Sequence, residues 1–439
     1  MKRKANISPY QLLILVFGCF VTLGTILLKL PFATTKSISW IDALFTATSA
    51  STVTGLGVVD TEKTFTLFGE LVITFLIQFG GLGIMSFAIL VFIMLGKKIG
   101  IKERILVQQA LNQNSIGGVI KLVKNLFIIS FLVEFIAMIF LSIRWVPEYG
   151  FGRGVYLSFF HAISAYNNAG FSLFSDNLIR YVGDPLINIV VSLLFIIGGI
   201  GFTVLADIWQ KKSFKKLSLH SKIMLVGTLL LNFIAMFFIF TLEYNNPNTL
   251  GGLHSLSDKL WASYFQATSP RTAGFNSVDI SQLDHSTIFL MIILMFVGAG
   301  SGSTGGGIKL TTFMVIILGV ISFLKGRREI EIANRSISEN FIFRSLAIST
   351  IALIFISIAV FILSITEKAD FIKILFEVIS AFGTVGLSMG FTASLSVIGK
   401  LIIVFIMFLG KIGPLTLALS LAKPVNSRIK YPNEDILTG

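Results

Sequence analysis

The chain has 439 residues, 54% of them hydrophobic and only 13% charged, with a net charge of +13 and a mean hydropathy of +0.87. An ordinary soluble domain carries about a quarter charged residues, so this composition leaves little room for a soluble protein. The single cysteine, Cys19, excludes an internal disulfide and reads as a packing residue.

In chain order, apolar runs at 11–28, 71–95, 126–143, 187–206, 223–242, 346–365 and 398–421 are each long enough to span a bilayer, which takes about 20 residues. An eighth starts at Ile288, is interrupted at Gly298 and resumes at Thr311. The first run is too long for a signal h-region and shows no convincing cleavage site.

Between the runs lie four versions of one phrase: TATSASTVTG (46–55), HAISAYNNAG (161–170), FQATSPRTAG (265–274) and EVISAFGTVG (377–386). Each follows an aromatic residue and ends in a glycine, with Ser49, Ser164, Thr268 or Ser380 six positions earlier. The glycines Gly55, Gly170, Gly274 and Gly386 are spaced by 115, 104 and 112 residues. Such a period marks an internal repeat. It divides the chain into residues 1–100, 101–212, 213–327 and 328–439, each read as helix, loop, helix.

The segments before the glycines, at 40–51, 157–164, 259–268 and 371–380, are too short to span and are expected to dip in as half-helices. Non-helical backbone at that depth is tolerated only when buried in protein or lining a wet cavity. Converging half-helices would each present about half a negative charge at their C-termini. The extended segments expected after them, Val53–Thr54–Gly55, Asn168–Ala169–Gly170, Thr272–Ala273–Gly274 and Thr384–Val385–Gly386, could aim carbonyls inward to replace the hydration shell of a cation such as K+. The expected fold class is an all-α multi-pass membrane protein, eight spanning helices and four pore half-helices with pseudo-fourfold symmetry around one pore.

With the glycine phrases outside, inner segments hold 22 of the 35 Lys and Arg residues. This positive-inside bias places both termini in the cytoplasm and makes the net charge a topology signal rather than a nucleic-acid patch. The acidic outer mouth would modestly concentrate cations.

Together with FGGLGIM (79–85), SPRTAGFN (269–276), GSTGGGIKLTT (302–312) and SAFGTVGLSMG (380–390), these phrases resemble the Trk/Ktr/HKT superfamily of potassium-translocating subunits over essentially the whole chain, nearest the bacterial Ktr membrane subunit (KtrB/KtrD type). The resemblance implies four membrane–pore–membrane units around a pore, with the filter glycines at Gly55, Gly170, Gly274 and Gly386. Some sodium-favouring relatives have Ser at the first of these. It further implies a homodimer in the bacterial cell membrane and a cytosolic nucleotide-binding RCK ring (KtrA/KtrC type) that binds ATP and ADP, with Na+ as a modulator. The tail, 431–439, resembles the superfamily's and is a candidate dimer contact.

Six glycines, Gly298, Gly300, Gly302, Gly305, Gly306 and Gly307, fill ten positions of the interrupted run. At about 1 kcal/mol each relative to Ala, they cannot hold a helix. The sequence after them lacks the Gly-Lys-Ser/Thr ending of a phosphate loop. A flexible intramembrane gating loop is the expected role, and the resemblance implies the same. Glycine clusters at 80–83, 198–201 and 410–413 sit at matching depth in the other second helices; the glycine pairs and Pro414 favour kinks, and the first two clusters read as packing positions.

A charge at mid-membrane costs about 2.5–3.5 kcal/mol on insertion scales. Lys411, where relatives usually carry Arg, is expected to face the pore as a positive barrier. Lys309, closing the glycine run, is open between a tether to an acidic partner and a packing role. Arg271 is expected to brace the third segment through backbone carbonyls, while Glu134 and His161 read as structural. No metal cluster or nucleophile–base pair is evident. The function expected is potassium uptake as the channel-like subunit of a Ktr-type system, with obligate Na+- or H+-coupled symport and a non-conducting scaffold as the alternatives left open.

Overall fold

A computed structural model describes residues 9–83, 86, 90, 100, 105, 119–327, 329–332, 335–421 and 434. The second apolar run past residue 83, most of the basic stretch 97–124, the basic stretch 423–430 and nearly all of the tail lie outside them.

Four long helices begin the four repeats: α1 (Pro9–Lys29), α4 (Val119–Tyr149), α8 (Leu219–Glu243) and α12 (Glu339–Thr366). Each is long and apolar enough to cross a bilayer. They turn large apolar side chains outward, among them Leu229, Phe233 and Phe361, where acyl chains rather than protein would meet them.

Each long helix is followed by a short one: α2 (Trp40–Thr52), α5 (Phe151–Tyr166), α9 (Leu256–Thr268) and α13 (Phe371–Gly383). These have 13 to 16 residues, about 20–24 Å at 1.5 Å per residue, too short for a hydrocarbon core of about 30 Å. Ser39 caps α2 by accepting from the Asp42 N–H (3.1 Å), and Ser255 caps α9 at Asp258 (3.0 Å). Their C-terminal ends are buried apart from the partly exposed Tyr264, although each of them carries Ser or Thr. The half-helices expected from the sequence are present, one to eight residues longer.

The second helix of each repeat is α3 (Leu67–Leu82), α6 (Pro185–Ile200), α10 (His285–Phe296) or α14 (Val397–Ile412). Here the structure goes beyond the expectation of one interrupted span and of kinks favoured at the other glycine clusters, because all four second helices break. α3 stops at Gly83, α6 at Gly201 and α14 at Gly413, all three glycines at positive φ, a conformation that ends a helix and that a Cβ disfavours. After Gly201 the chain restarts as α7 (Phe202–Lys211), bent by 95°. After Gly413 it restarts as α15 (Pro414–Leu421). In the third repeat, residues 297–309 form a loop before α11 (Leu310–Leu324). A two-stranded hairpin, β1 (Ile330–Ile332) with β2 (Arg335–Ile337), precedes α12.

The packing between repeats is cyclic. The second helix of one repeat packs on the short helix of the next: α3 on α5, α6 on α9, α10 on α13, and α14 back on α2. The result is an all-α membrane architecture closed around one axis, with the ends of the four short helices at its centre.

Candidate functional site

Each short helix leads into its segment by the same local chemistry. Val53, Asn168, Thr272 and Thr384 have φ of 52°, 57°, 74° and 49°. The next residue is back at negative φ, and the glycine after it is positive again, at 92°, 67°, 75° and 94°. The segments are therefore not the extended strands expected from the sequence. Alternation of hand lets successive carbonyls point to one side, which an extended strand does not allow. Left-handed backbone costs about 1–3 kcal/mol at a non-glycine residue. It is held here by bonds from Thr54 N–H to the Ser49 carbonyl, Ala169 to Ser164 and Val385 to Ser380, each 2.8 Å, and from Ala273 to Ser269, 3.0 Å.

The glycines face one another in a closed ring. A methyl group built on Gly55 would lie 2.5 Å from the Ala169 carbonyl oxygen; on Gly274, 2.2 Å from that of Val385; on Gly386, 2.1 Å from that of Thr54. On Gly170 it would lie 2.9 Å from the Gly274 Cα and 3.1 Å from the Ala273 oxygen. Each repeat thus presses the carbonyl before its own glycine against the glycine of the preceding repeat, and the fourth closes on the first. Above the ring, a vestibule of about 500 Å³ carries Asp60, Asp176 and Asp279 on its wall.

Polar side chains brace the ring from behind. Ser49 Oγ accepts from Gly55 N–H (3.0 Å) and Ser380 Oγ from Gly386 N–H (3.1 Å), while Ser164 Oγ donates to the Phe171 carbonyl (2.7 Å). In the third repeat this role falls to Ser269, which donates to the Phe275 carbonyl. Thr268, the residue singled out by spacing, bonds back to Tyr264 and Phe265 of its own helix. Nine positions before the glycine, two repeats carry a second brace, of which the sequence singled out His161 but not Glu377. His161 Nε2 pairs with Ser172 Oγ (3.0 Å), and the buried Glu377 accepts from Ser388 Oγ (2.8 Å) and from Thr392 Oγ1. His161 is also bonded to the Leu157 carbonyl and stacked on Phe174, so its structural reading holds. Glu134 likewise is a structural carboxyl, accepting from Gln78 Nε2 at 3.0 Å and from Asn167 Nδ2 at 3.3 Å.

Directly beneath the ring runs the glycine loop. Its neck is a parallel bridge between Val297 and Ile308. Thr304 Oγ1 donates to Asn168 Oδ1 (2.8 Å), Gly306 N–H to Thr384 Oγ1 (2.8 Å) and Gly307 N–H to the Gly410 carbonyl (3.1 Å). A methyl group on Gly305 would strike Thr272 Oγ1 at 2.4 Å. Gly300 N–H donates to the Gly199 carbonyl, and the Gly302 carbonyl accepts from Phe202 N–H, both 2.8 Å. Gly298 would meet the Gly306 carbonyl at 2.6 Å. The loop is therefore bonded to repeats two and four and lies across the floor of the ring.

Both lysines serve this loop. Lys411 Nζ donates to the Thr304 carbonyl and Lys309 Nζ to that of Gly305, each 2.6 Å. The acidic tether considered for Lys309 is replaced by a backbone carbonyl. Arg271 is corrected too: it donates to Asn232 Oδ1 (3.3 Å), not to the carbonyls of the third segment. Gly80, Gly198 and Gly410 pack on the last turns of their own short helices, where a methyl group would stand 1.9–2.0 Å from the carbonyls of Ser51, Tyr166 and Phe382.

This cyclic arrangement has a counterpart in a sequence family, because residues 8–430 match TrkH, described as a cation transport protein. The chain belongs to the TrkH family. It is 57% identical to the Ktr system potassium uptake protein B of Bacillus subtilis over 98% of this chain and 97% of that protein. It is 44% identical to the protein of the same description from Vibrio alginolyticus (99% and 96%) and 39% identical to the potassium/sodium uptake protein NtpJ of Enterococcus hirae (100% and 99%). The TrkH-family fold is similar to the crystal structure of the potassium transporter TrkH from Vibrio parahaemolyticus, with a TM-score of 0.75 at 18% identity over 96% of this chain and 86% of that one. The TrkH family is one of transport proteins and not an enzyme family.

Proposed function

We propose that this chain is the ion-translocating subunit of a Ktr-type system and takes up potassium through a pore along the axis of the glycine ring. The observation that carries the reading is the closed ring at Gly55, Gly170, Gly274 and Gly386, in which four repeats press carbonyls and glycines together. Carbonyl dipoles are hard oxygen ligands that can replace the hydration shell of an alkali cation. The filter is Val53–Gly55, Asn168–Gly170, Thr272–Gly274 and Thr384–Gly386, one segment from each of the repeats 1–100, 101–212, 213–327 and 328–439.

The loop carrying Gly298, Gly300, Gly302, Gly305, Gly306 and Gly307 is the gate, with Lys309 and Lys411 holding it shut beneath the filter. The protein works as a homodimer in the bacterial cell membrane with both termini cytoplasmic. A KtrA/KtrC-type RCK ring binds ATP or ADP and releases the gate, and Na+ modulates it. The same-described relatives in Bacillus subtilis and Vibrio alginolyticus support the Ktr-type assignment.

The test is tracer rubidium uptake, with and without Na+, in a potassium-uptake-deficient bacterium expressing the chain with and without an RCK partner. Saturable uptake that falls in Gly386→Ser supports the filter. An obligate requirement for Na+ or a proton gradient would instead make it a symporter. A well-inserted protein with no uptake would make it a scaffold.

A further inference from the structure

On the basic face, between repeats two, three and four, lies a pocket of about 680 Å³. First-turn or capping residues of four helices line it: Thr203 of α7, Ser218 and His220 of α8, Thr311 and Thr312 of α11, and Ser338 of α12. Three of these helix starts, those of α7, α11 and α12, have no side-chain cap; Phe202 N–H and Leu310 N–H are taken by the Gly302 and Ala299 carbonyls, and the next N–H groups of those first turns have no capping side chain. A helix N-terminus carries about half a positive charge, and here four of them converge with the Arg344 guanidinium. Among the described residues no carboxylate lines the pocket. Two acids close to its lining residues are otherwise placed: Asp207 accepts from Ser218 N–H, Ser221 Oγ and Lys211, and Glu339 lines the adjacent groove.

Two further observations point to a ligand. Ser345 is 7% exposed and lines the pocket, and among the described residues its hydroxyl makes no hydrogen bond. Further along α8, α11 and α12 the lining turns apolar, with Ile223, Val315 and Ile348. Polar groups selective for an anion at one end and an aliphatic wall at the other match a lipid better than a free ion.

We infer that this pocket binds the phosphate headgroup of an anionic phospholipid. Convergent helix N-termini donate N–H groups to the phosphate oxygens, Arg344 adds a charge-assisted fork, and the acyl chain lies along the apolar wall. Ser301 of the glycine loop also lines the pocket, and α7 is tied to that loop through Phe202 N–H and the Gly302 carbonyl. The occupied pocket therefore biases the loop, a consequence that rests on the gate reading above, whereas the binding itself does not.

The test uses the full-length chain in vesicles of phosphatidylcholine alone or with phosphatidylglycerol. Retained lipid is read by native mass spectrometry and tracer rubidium flux is measured in the same vesicles. Phosphatidylglycerol is retained over phosphatidylcholine by about tenfold, the worth of one charge-assisted contact. Arg344→Gln and Thr312→Val each reduce that preference, and Arg344→Lys restores part of it. Equal retention of the two lipids, or an unchanged preference in the double variant, overturns the site. Displacement of phosphatidylglycerol by millimolar inorganic phosphate overturns the lipid assignment in favour of free phosphate. Flux that ignores phosphatidylglycerol while the lipid stays bound overturns the link to the loop and leaves the filter reading untouched.

Discussion

The Lys411 ammonium is bonded to the Thr304 carbonyl at 2.6 Å, so a residue of the last second helix grips the loop of the third repeat across 107 positions of sequence. A hydrogen bond to a charged group contributes about 1.5–3 kcal/mol, and its loss shifts a two-state loop by roughly tenfold or more. Lys411→Ala is therefore expected to raise rubidium uptake without an RCK partner by about tenfold, whereas Lys411→Arg keeps it low. Normal uptake per inserted molecule in Lys411→Ala would reduce the lysine to a packing role.

Removing residues 299–306 deletes the Thr304–Asn168 and Gly306–Thr384 bonds together. Uptake is expected to rise and to lose its dependence on the partner. The same uptake and the same regulation as wild type would remove the gate assignment.

The four ring glycines are not equally crowded. The nearest atom to an added methyl lies at 2.1 Å for Gly386, 2.2 Å for Gly274, 2.5 Å for Gly55 and 2.9 Å for Gly170. Alanine substitutions are expected to degrade rubidium affinity and discrimination against Na+ in that order, with Gly170→Ala the mildest. Competition of Na+ with tracer rubidium reads the series, and an order unrelated to these distances would disconnect the ring from selectivity.

Glu377 holds Ser388 and Thr392 just beyond the fourth segment. Glu377→Ala removes the acceptor shared by the buried Thr392 hydroxyl and the half-buried Ser388 hydroxyl, which then keep only their 3.0 Å bond to each other, at about 1–3 kcal/mol for an unsatisfied buried group. It is expected to weaken discrimination against Na+ and lower the melting temperature, while Glu377→Gln, which still offers a carbonyl oxygen, loses less of both. His161→Gln tests the equivalent contact to Ser172. Equal losses in Glu377→Ala and Glu377→Gln would show that charge rather than hydrogen bonding matters at this position.

Much of the candidate site was legible before any coordinates. Gly55, Gly170, Gly274 and Gly386 stand out because a repeated phrase is a one-dimensional signal, and the glycine run at 298–307 does so because no helix tolerates it. The braces were less visible. Ser269 displaces Thr268 because the third segment is closed by a bond four residues back where the others reach five, a difference of one residue that spacing alone conceals. Glu377 and His161 share a position nine residues before their glycines, but nothing in that position names Ser388 or Ser172 as the partner.

Hydrophobic run length and the repeat of small polar residues by themselves determined a membrane protein of four repeated units, since the cost of leaving backbone unpaired in lipid restricts what such runs can become. Tertiary structure alone decided that the kinks favoured at glycine clusters become full breaks in the other second helices, that the segments alternate in hand instead of extending, and that Lys411 and Lys309 end on loop carbonyls. Those outcomes depend on which backbone groups from distant repeats meet at the axis, and a contact between residues more than a hundred positions apart leaves no local pattern in the chain.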